Sequence, residues 1–295
     1  MDDFRLRVFI TAARTLSFTR TAEQLCISQP AVSKHIGELE SRYEVQLFTR
    51  RGSRLELTEA GRTLLESAER VADDYRRLEY EMSLCTGQTE GELRLGASTT
   101  IAQYLLPPIL ARFTTRFPKV RLTLLSGNSG QVEEALDGRR IDLGLVESVS
   151  RRQGLHYTLF RPDELVLVAR TGGRYARVES LRPEELERIP LVLRENGSGT
   201  LEVISAALAE RGIRLSQLHV VLRIGSTEGI KRFVRNSDAM AIVSAFSVVD
   251  ELRSDALRIV DLEGLPLLRD FVFVHSEAHP ARLVRQFMDF ALASR

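Results

Sequence analysis

Residues 17–40, SFTRTAEQLCISQPAVSKHIGELE, constrain this chain more than any other stretch, because they encode two short helices joined by a tight turn. Val32, Ile36 and Leu39 recur at helical spacing on one inward face, which leaves Gln29, Ser33 and Lys34 on another. Ser28 is placed to cap that helix, and Pro30 falls in its first turn, where a missing backbone N–H costs little. The preceding helix, with Thr21, Ala22 and Leu25 as inner residues, props the second so that its amide-rich start points outward. A helix presented in this way fits a DNA major groove, although periodicity alone suits any small helical bundle equally well.

Leu6, Phe9, Ile10 and Ala13 make a further amphipathic helix that covers the pair from behind. Downstream, apolar pairs flank a basic tip, Arg50-Arg51-Gly52-Ser53-Arg54, and the segment reads as a short hairpin, a wing. In isolation such a tip is an ordinary solvated turn; after a helix-turn-helix its arginines suit phosphates or a narrow minor groove. A formal net charge of +1 says little about partners, since Arg20, Lys34, His35 and the wing arginines already concentrate positive charge locally.

The pattern S-F-T-x-x-A-x-x-L-x-x-S-Q-P-A-V-S-x-x-I-x-x-L-E, continued by Leu47-Phe48-Thr49-Arg50 and Leu57-Thr58-Glu59-Ala60-Gly61, resembles the winged helix-turn-helix of the LysR-type transcriptional regulators. The resemblance implies binding to double-stranded DNA through Thr19, Arg20, Ser28, Gln29, Pro30, Ala31, Ser33, Lys34, Arg50, Arg51 and Arg54. We expect Gln29 and Ser33 to reach base edges, Pro30 and Ala31 to give apolar contact, and Lys34 and Arg50 to hold phosphates.

From residue 58 to about 86 the chain becomes one long charged helix without proline. Leu64, Ala68, Val71, Tyr75, Leu78, Met82 and Cys85 follow one another by four and three residues in alternation, a heptad seam. So narrow a stripe predicts pairing with the same helix of a second subunit, to a dimer or a tetramer; the alternative is packing on its own domain. Cys26 and Cys85, the only cysteines, are too few for a zinc site or a disulfide framework and are expected as reduced thiols.

Residues 87–91, GQTEG, read as a hinge. Beyond it, strands at 93–96, 120–125 and 141–146 alternate with helices at 101–117 and 131–136. A second run follows, with strands at 165–169, 191–193, 220–224 and 240–244, helices at 201–211 and 227–235, and a closing strand and helix at 271–274 and 280–293. The reading is α/β, with a mainly parallel sheet covered on both faces. Here the chain is similar to the effector-binding region of the same regulators, two lobes of the periplasmic-binding-protein type. That implies a winged helix-turn-helix over 1–58, a linker and dimerisation helix with hinge over 59–90, and an effector domain over 91–295. Lobe I would take 91–161 and 267–295, and lobe II 162–266.

Ligands of open α/β sheets bind at strand carboxyl ends against helix N-termini. Four stretches meet that description: Ser98-Thr99-Thr100, Gly127-Asn128-Ser129, Asn196-Gly197-Ser198-Gly199-Thr200 and Gly225-Ser226-Thr227. Each is equally an ordinary N-cap. Together they describe a polar cleft for a small anionic effector, at the positions where the resemblance also places one. Residues 194–200 resemble a signature of members responding to sulfur or carbon metabolites, but Leu201 stands where a basic residue commonly follows. Residues 91–295 contain no cysteine, which excludes the two-cysteine switch of the family's peroxide sensors.

No P-loop or nucleophile elbow occurs, and His35, His156, His219, His275 and His279 are scattered without triad or ligand spacing. We therefore expect no enzyme, no cofactor and no metal, but a ligand-responsive regulator in the cytoplasm, with no membrane segment and with RNA polymerase as a further partner. The competing reading is a cytoplasmic small-molecule-binding α/β protein or enzyme with an accessory helical domain.

Overall fold

The computed structural model describes residues 3–52, 54–85, 89–147, 151–276 and 280–294. Ser53 at the wing tip, Gly87 and Gln88 of the expected hinge, and His279 lie outside the described residues. Two compact units divide the chain, Met1–Gln88 and Thr89–Arg295.

The first unit comprises α1 (Phe4–Thr15), α2 (Phe18–Leu25), α3 (Gln29–Tyr43), β1 (Phe48–Arg51), β2 (Arg54–Leu57) and α4 (Glu59–Cys85). Its core collects the inward faces of the helices, including Val8, Phe9, Ala12, Ala22, Val32, Ile36 and Leu39, with Leu47 and Phe48 from the foot of the hairpin. The Glu40 carboxylate accepts the backbone N–H of Leu47 at 2.8 Å, which ties the wing to α3. Thr58 closes the other foot, its hydroxyl donating to Gln46 O at 2.6 Å and accepting from Gly61 N at 2.9 Å. A Cβ on Gly61 would stand 2.1 Å from Leu47 O, so only glycine lets α4 start this close to the hairpin.

The apolar stripe of α4 divides. Ala68 is buried in the core of its own unit and Leu64 packs against that core. Val71, Leu78 and Met82, farther along, are 50%, 54% and 58% exposed.

The second unit is built on a ten-stranded sheet. Its elements are β3 (Gly91–Ser98), a π-turn (Ile101–Leu105) running into α5 (Leu106–Arg116), β4 (Val120–Gly127), α6 (Ser129–Asp137), β5 (Leu143–Glu147), β6 (His156–Arg170), β7 (Ser180–Leu181), β8 (Leu191–Leu193), α7 (Gly199–Glu210), β9 (Val220–Arg223), α8 (Thr227–Arg235), β10 (Met240–Ser244), α9 (Val249–Arg253), β11 (Leu257–Leu262), β12 (Leu267–His275) and α10 (Arg282–Ala293). Strand order is β4-β3-β5-β12-β6-β10-β8-β9, with β11 on β6 and β7 on β11.

The sheet is mixed, which corrects the expectation of a mainly parallel one. β3 is parallel to β4 and β5, and β8 to β9 and β10, as βαβ crossovers require. β12, however, is antiparallel to both β5 and β6, and β6 is antiparallel to β10 and β11. These two long strands join the lobes, and apolar patterning alone does not distinguish such a strand from a parallel one. Helices cover both lobes: Val132, Ala135 and Leu136 of α6 pack on Val146, Val272 and Val274, and Ile230 and Val234 of α8 on Val168, Val192 and Ala241. Leu201, Ile204 and Leu208 of α7 join Leu165, Leu191 and Met240 on another face.

Where the lobes meet, Arg269 of β12 is buried between two carboxylates. Its Nε donates to Asp163 Oδ2 at 2.6 Å, and its Nη1 donates to Thr200 Oγ1 at 2.8 Å and lies 3.4 Å from Glu147 Oε1. Ser244 donates to the other Asp163 oxygen at 2.7 Å. Burial pushes the Asp163 carboxyl above its usual range, and Arg269 is the largest effect opposing that rise. Arg269→Met leaves two buried carboxylates unneutralised and is expected to cost about 3–5 kcal/mol at neutral pH. Without Arg269 the folded state holds a proton on the Asp163 carboxyl to a higher pH than the unfolded chain does, so the deficit should shrink as pH falls toward 5. Urea unfolding at several pH values checks both the size and the sign.

Candidate functional site

In the first unit the start of α3 is built as an outward-facing platform. Ser28 accepts from Ala31 N at 3.3 Å, and Ser17 caps α2 by accepting from Arg20 N at the same distance. Thr19, Arg20, Ser28, Gln29, Pro30, Ser33 and Lys34 are exposed there and Ala31 is half-buried; Arg50, Arg51 and Arg54 are exposed on the hairpin. The Gln29 side-chain amide donates to Ser33 Oγ at 3.2 Å, one helical turn on, so the two polar groups expected to read bases hold each other in place. Lys34 stands 4.0 Å from Glu38. His35 packs edge-on against the Phe4 ring at 5.4 Å and joins α1 to α3.

In the second unit the four expected stretches separate into caps and non-caps. Ser98 accepts from Ile101 N at 3.4 Å, Asn128 and Gln131 form a reciprocal capping box, and Ser226 accepts from Gly229 N at 3.1 Å. Ser198 occupies the same place before α7 but caps nothing; its buried hydroxyl, like that of Thr99, has no hydrogen-bond partner. Thr200 is committed to Arg269, and Ser129 donates to Glu147 O at 2.9 Å. Thr100 and Thr227 are buried.

Two of the stretches meet directly across the lobes. Gly130 N donates to Gly197 O at 3.2 Å, and the Asn128 amide donates to Asn196 O at 3.5 Å and to Glu195 Oε1 at 3.4 Å. Gly197 has φ +81°, and a Cβ on Gly199 would stand 1.6 Å from Glu147 O, so the turn into α7 needs both glycines. Gly127 likewise lies against the capping Gln131. Gly225 faces the Glu195 carboxylate. The stretch at 98–100 connects through the π-turn that follows it: the Tyr104 hydroxyl donates to Glu228 on α8.

Sequence reasoning left out the charged residues that knit this region together. Arg194, at the carboxyl end of β8, is 3% exposed and makes a two-point ion pair with Glu195. Burial raises the Glu195 carboxyl, but that pair outweighs it and holds the carboxyl below its usual range. Lys231 is buried and donates to Ser247 O at 2.7 Å, with Glu228 and Glu251 at 2.7 and 3.0 Å. Position at the end of a buried strand is the signal that picks out Arg194; for Lys231 only the i,i+3 spacing to Glu228 is local, and Ser247 and Glu251, which bury it, lie 16 and 20 residues on. Among the described residues no group of three or more His, Cys, Asp or Glu side chains could hold a metal ion, and no helix is long and apolar enough to cross a membrane. Capping makes Ser226→Ala cost about 1 kcal/mol of stability, whereas Ser198→Ala, which removes a buried hydroxyl without a partner, should cost nothing and gain about 1 kcal/mol. Denaturant unfolding of the two variants checks the difference.

Comparison with known proteins adds to this geometry. Residues 4–62 match the family described as "Bacterial regulatory helix-turn-helix protein, lysR family", and residues 86–295 match "LysR substrate binding domain". The HTH-type transcriptional regulator CysL of Bacillus subtilis is 30% identical over 271 residues, 92% of this chain and 90% of CysL. Full-length CbnR complexed with its target DNA superposes with a TM-score of 0.68 at 20% identity, covering all of both chains. The regulatory domain of Synechocystis CcmR in complex with 2-PG superposes with a TM-score of 0.62 at 24% identity, over 69% of this chain and 96% of that domain.

Proposed function

Because this chain belongs to the LysR family of ligand-responsive, DNA-binding transcriptional regulators, we propose that it reads an operator through α3 and the wing under control of a small molecule held between the lobes. The observation that carries the first half is the joined pair Gln29 and Ser33 on the exposed start of α3. An amide fixed in one orientation can bond bidentately to an adenine edge in the major groove. Arg20, Lys34, Arg50, Arg51 and Arg54 surround that start in sequence and supply phosphate contacts, with Thr19, Ser28, Pro30 and Ala31 completing the contact face.

The exposed half of the α4 stripe, Val71, Leu78 and Met82, supports self-association through that helix. Leu64 and Ala68 serve the core of their own unit instead. Two subunits so paired present two reading helices to a symmetric site. We place this activity in the cytoplasm, with RNA polymerase as the further partner of the DNA-bound form, and assign the chain no catalytic step.

For the cleft, the unpartnered buried hydroxyls of Ser198 and Thr99 support a bound polar ligand, because a polar group buried without a partner is costly. The bound 2-PG of the CcmR regulatory domain supports a small anion as the class. Effector binding would act by shifting the balance between arrangements of the two lobes.

Gln29→Ala tests the reading of DNA. Across a set of operator variants the substitution should cost about 1–3 kcal/mol at one base position and relax preference there. A uniform loss, with base preference unchanged, removes Gln29 from sequence readout.

A further inference from the structure

Resting on the effector-cleft reading above, we propose that Arg194 receives the acid group of the effector, and that Glu195 is an internal carboxylate occupying its place until an anion displaces it. The effector class is then a small molecule carrying a carboxylate, sulfate or phosphate group.

Adjacent residues of an extended chain point to opposite sides. Just past β8 these two instead fold onto each other, with Arg194 Nε 2.8 Å from Glu195 Oε2 and Nη2 3.0 Å from Oε1. That is the two-point geometry by which arginine binds any planar oxyanion. Among the described residues Arg194 has no other acceptor. The same carboxylate takes the Asn128 amide from the first lobe at 3.4 Å. On a further side it faces Gly225, where an added Cβ would stand 3.5 Å from the carboxylate carbon. The Glu195 carboxylate thus has an arginine, an amide and a close glycine backbone around it, the surroundings a bound ligand acid would need.

Accessibility separates the two partners. The Arg194 side chain is 3% exposed and the Glu195 side chain 29%, so the carboxylate has a way out to solvent and the guanidinium does not. Charge gives the reason for an exchange. With Glu195 in place Arg194 is already neutralised by a two-point pair, so an arriving anion meets no net positive charge there. Replacing Glu195 by the ligand's own acid keeps Arg194 paired and avoids leaving a buried cation bare. The departing Glu195 also gives up its bond to Asn128, so the exchange alters a contact between the lobes.

Sulfate titration of the full-length chain, followed by thermal unfolding against sodium chloride at matched ionic strength, tests the exchange. Wild type, Glu195→Gln and the double variant Arg194→Gln/Glu195→Gln are compared, the double variant reporting the general stabilisation that sulfate gives any protein. Glu195→Gln should half-saturate at a sulfate concentration at least about tenfold lower than wild type, a difference readable from the mass-action shift. The double variant should lose the saturable response. An unchanged half-saturation in Glu195→Gln, or a saturable response that survives in the double variant, overturns the proposal. Glu195→Ala, which also releases Asn128, gives the same readout if the amide variant does not fold. Operator binding by the same preparations without sulfate keeps the two readings apart. If it is retained while the sulfate midpoint does not move, the exchange fails and the regulator stands; if wild type binds no operator, the regulator reading fails.

Discussion

A guanidinium buried between two carboxylates holds the second unit together. Arg269 comes from the returning strand β12, Glu147 from the end of β5 in the first lobe, Asp163 from the crossing strand β6, and Thr200 from the first turn of α7 in the second. None of these groups is stable in that place alone, because a bare buried charge costs several kcal/mol, on the order of the whole stability margin of a domain. Their mutual dependence fixes how two strands pass between lobes and how close α7 comes to β5. The glycine at 199 follows from the same constraint, since the approach leaves no room for a side chain. Around this point most polar groups are paired and hold the lobes, whereas the hydroxyls of Thr99 and Ser198, together with Arg269 Nη2 and Glu147 Oε2, are buried without a hydrogen-bond partner.

The first unit solves a simpler problem. Three helices, the first half of α4 and a hairpin bury one apolar cluster, and the start of α3 is left outward because its cap, its proline and its inward residues fall at the right intervals. Positioning then depends on few contacts at the edges: Glu40 on the first hairpin strand, Thr58 and Gly61 on the second, and the Arg14–Glu69 pair between α1 and α4. The exposed face of α3 carries no part of this load and is open to selection for DNA sequence alone.

Local elements were legible in the sequence and long-range ones were not. The inward positions Val32, Ile36 and Leu39, the cap at Ser28 and the hairpin at 48–57 depend on neighbours a few residues away, and all appear in the structure. The ends of α1, α2 and α3 carry no glycine signal, because Leu16, Cys26 and Glu44 adopt the left-handed conformation themselves. In the long helix, spacing shows a stripe but not which partner covers each part of it. Ala68 belongs to the unit's own core while Leu78 stays exposed. The mixed sheet was illegible because apolar patterning does not give strand direction, and the Arg269 cluster because its charges resemble surface residues until Asp163, 106 positions away, and Glu147, farther still along the chain, are brought to it. Arg194 and Glu195 are neighbours whose position at a strand end was visible but whose pairing was not. The four helix-start stretches were visible as polar turns, yet only bond geometry separates Ser198 from true caps such as Ser226.

A reader of DNA that works through paired α4 helices should recognise symmetric sequence, and selection of bound duplexes from a random pool by the purified full-length chain measures that directly. The expected result is enrichment of an inverted repeat whose half-site centres lie about one helical turn, roughly 10 base pairs, or a multiple of it apart. Enrichment of a single unsymmetric element, or of none, contradicts a symmetric operator reader.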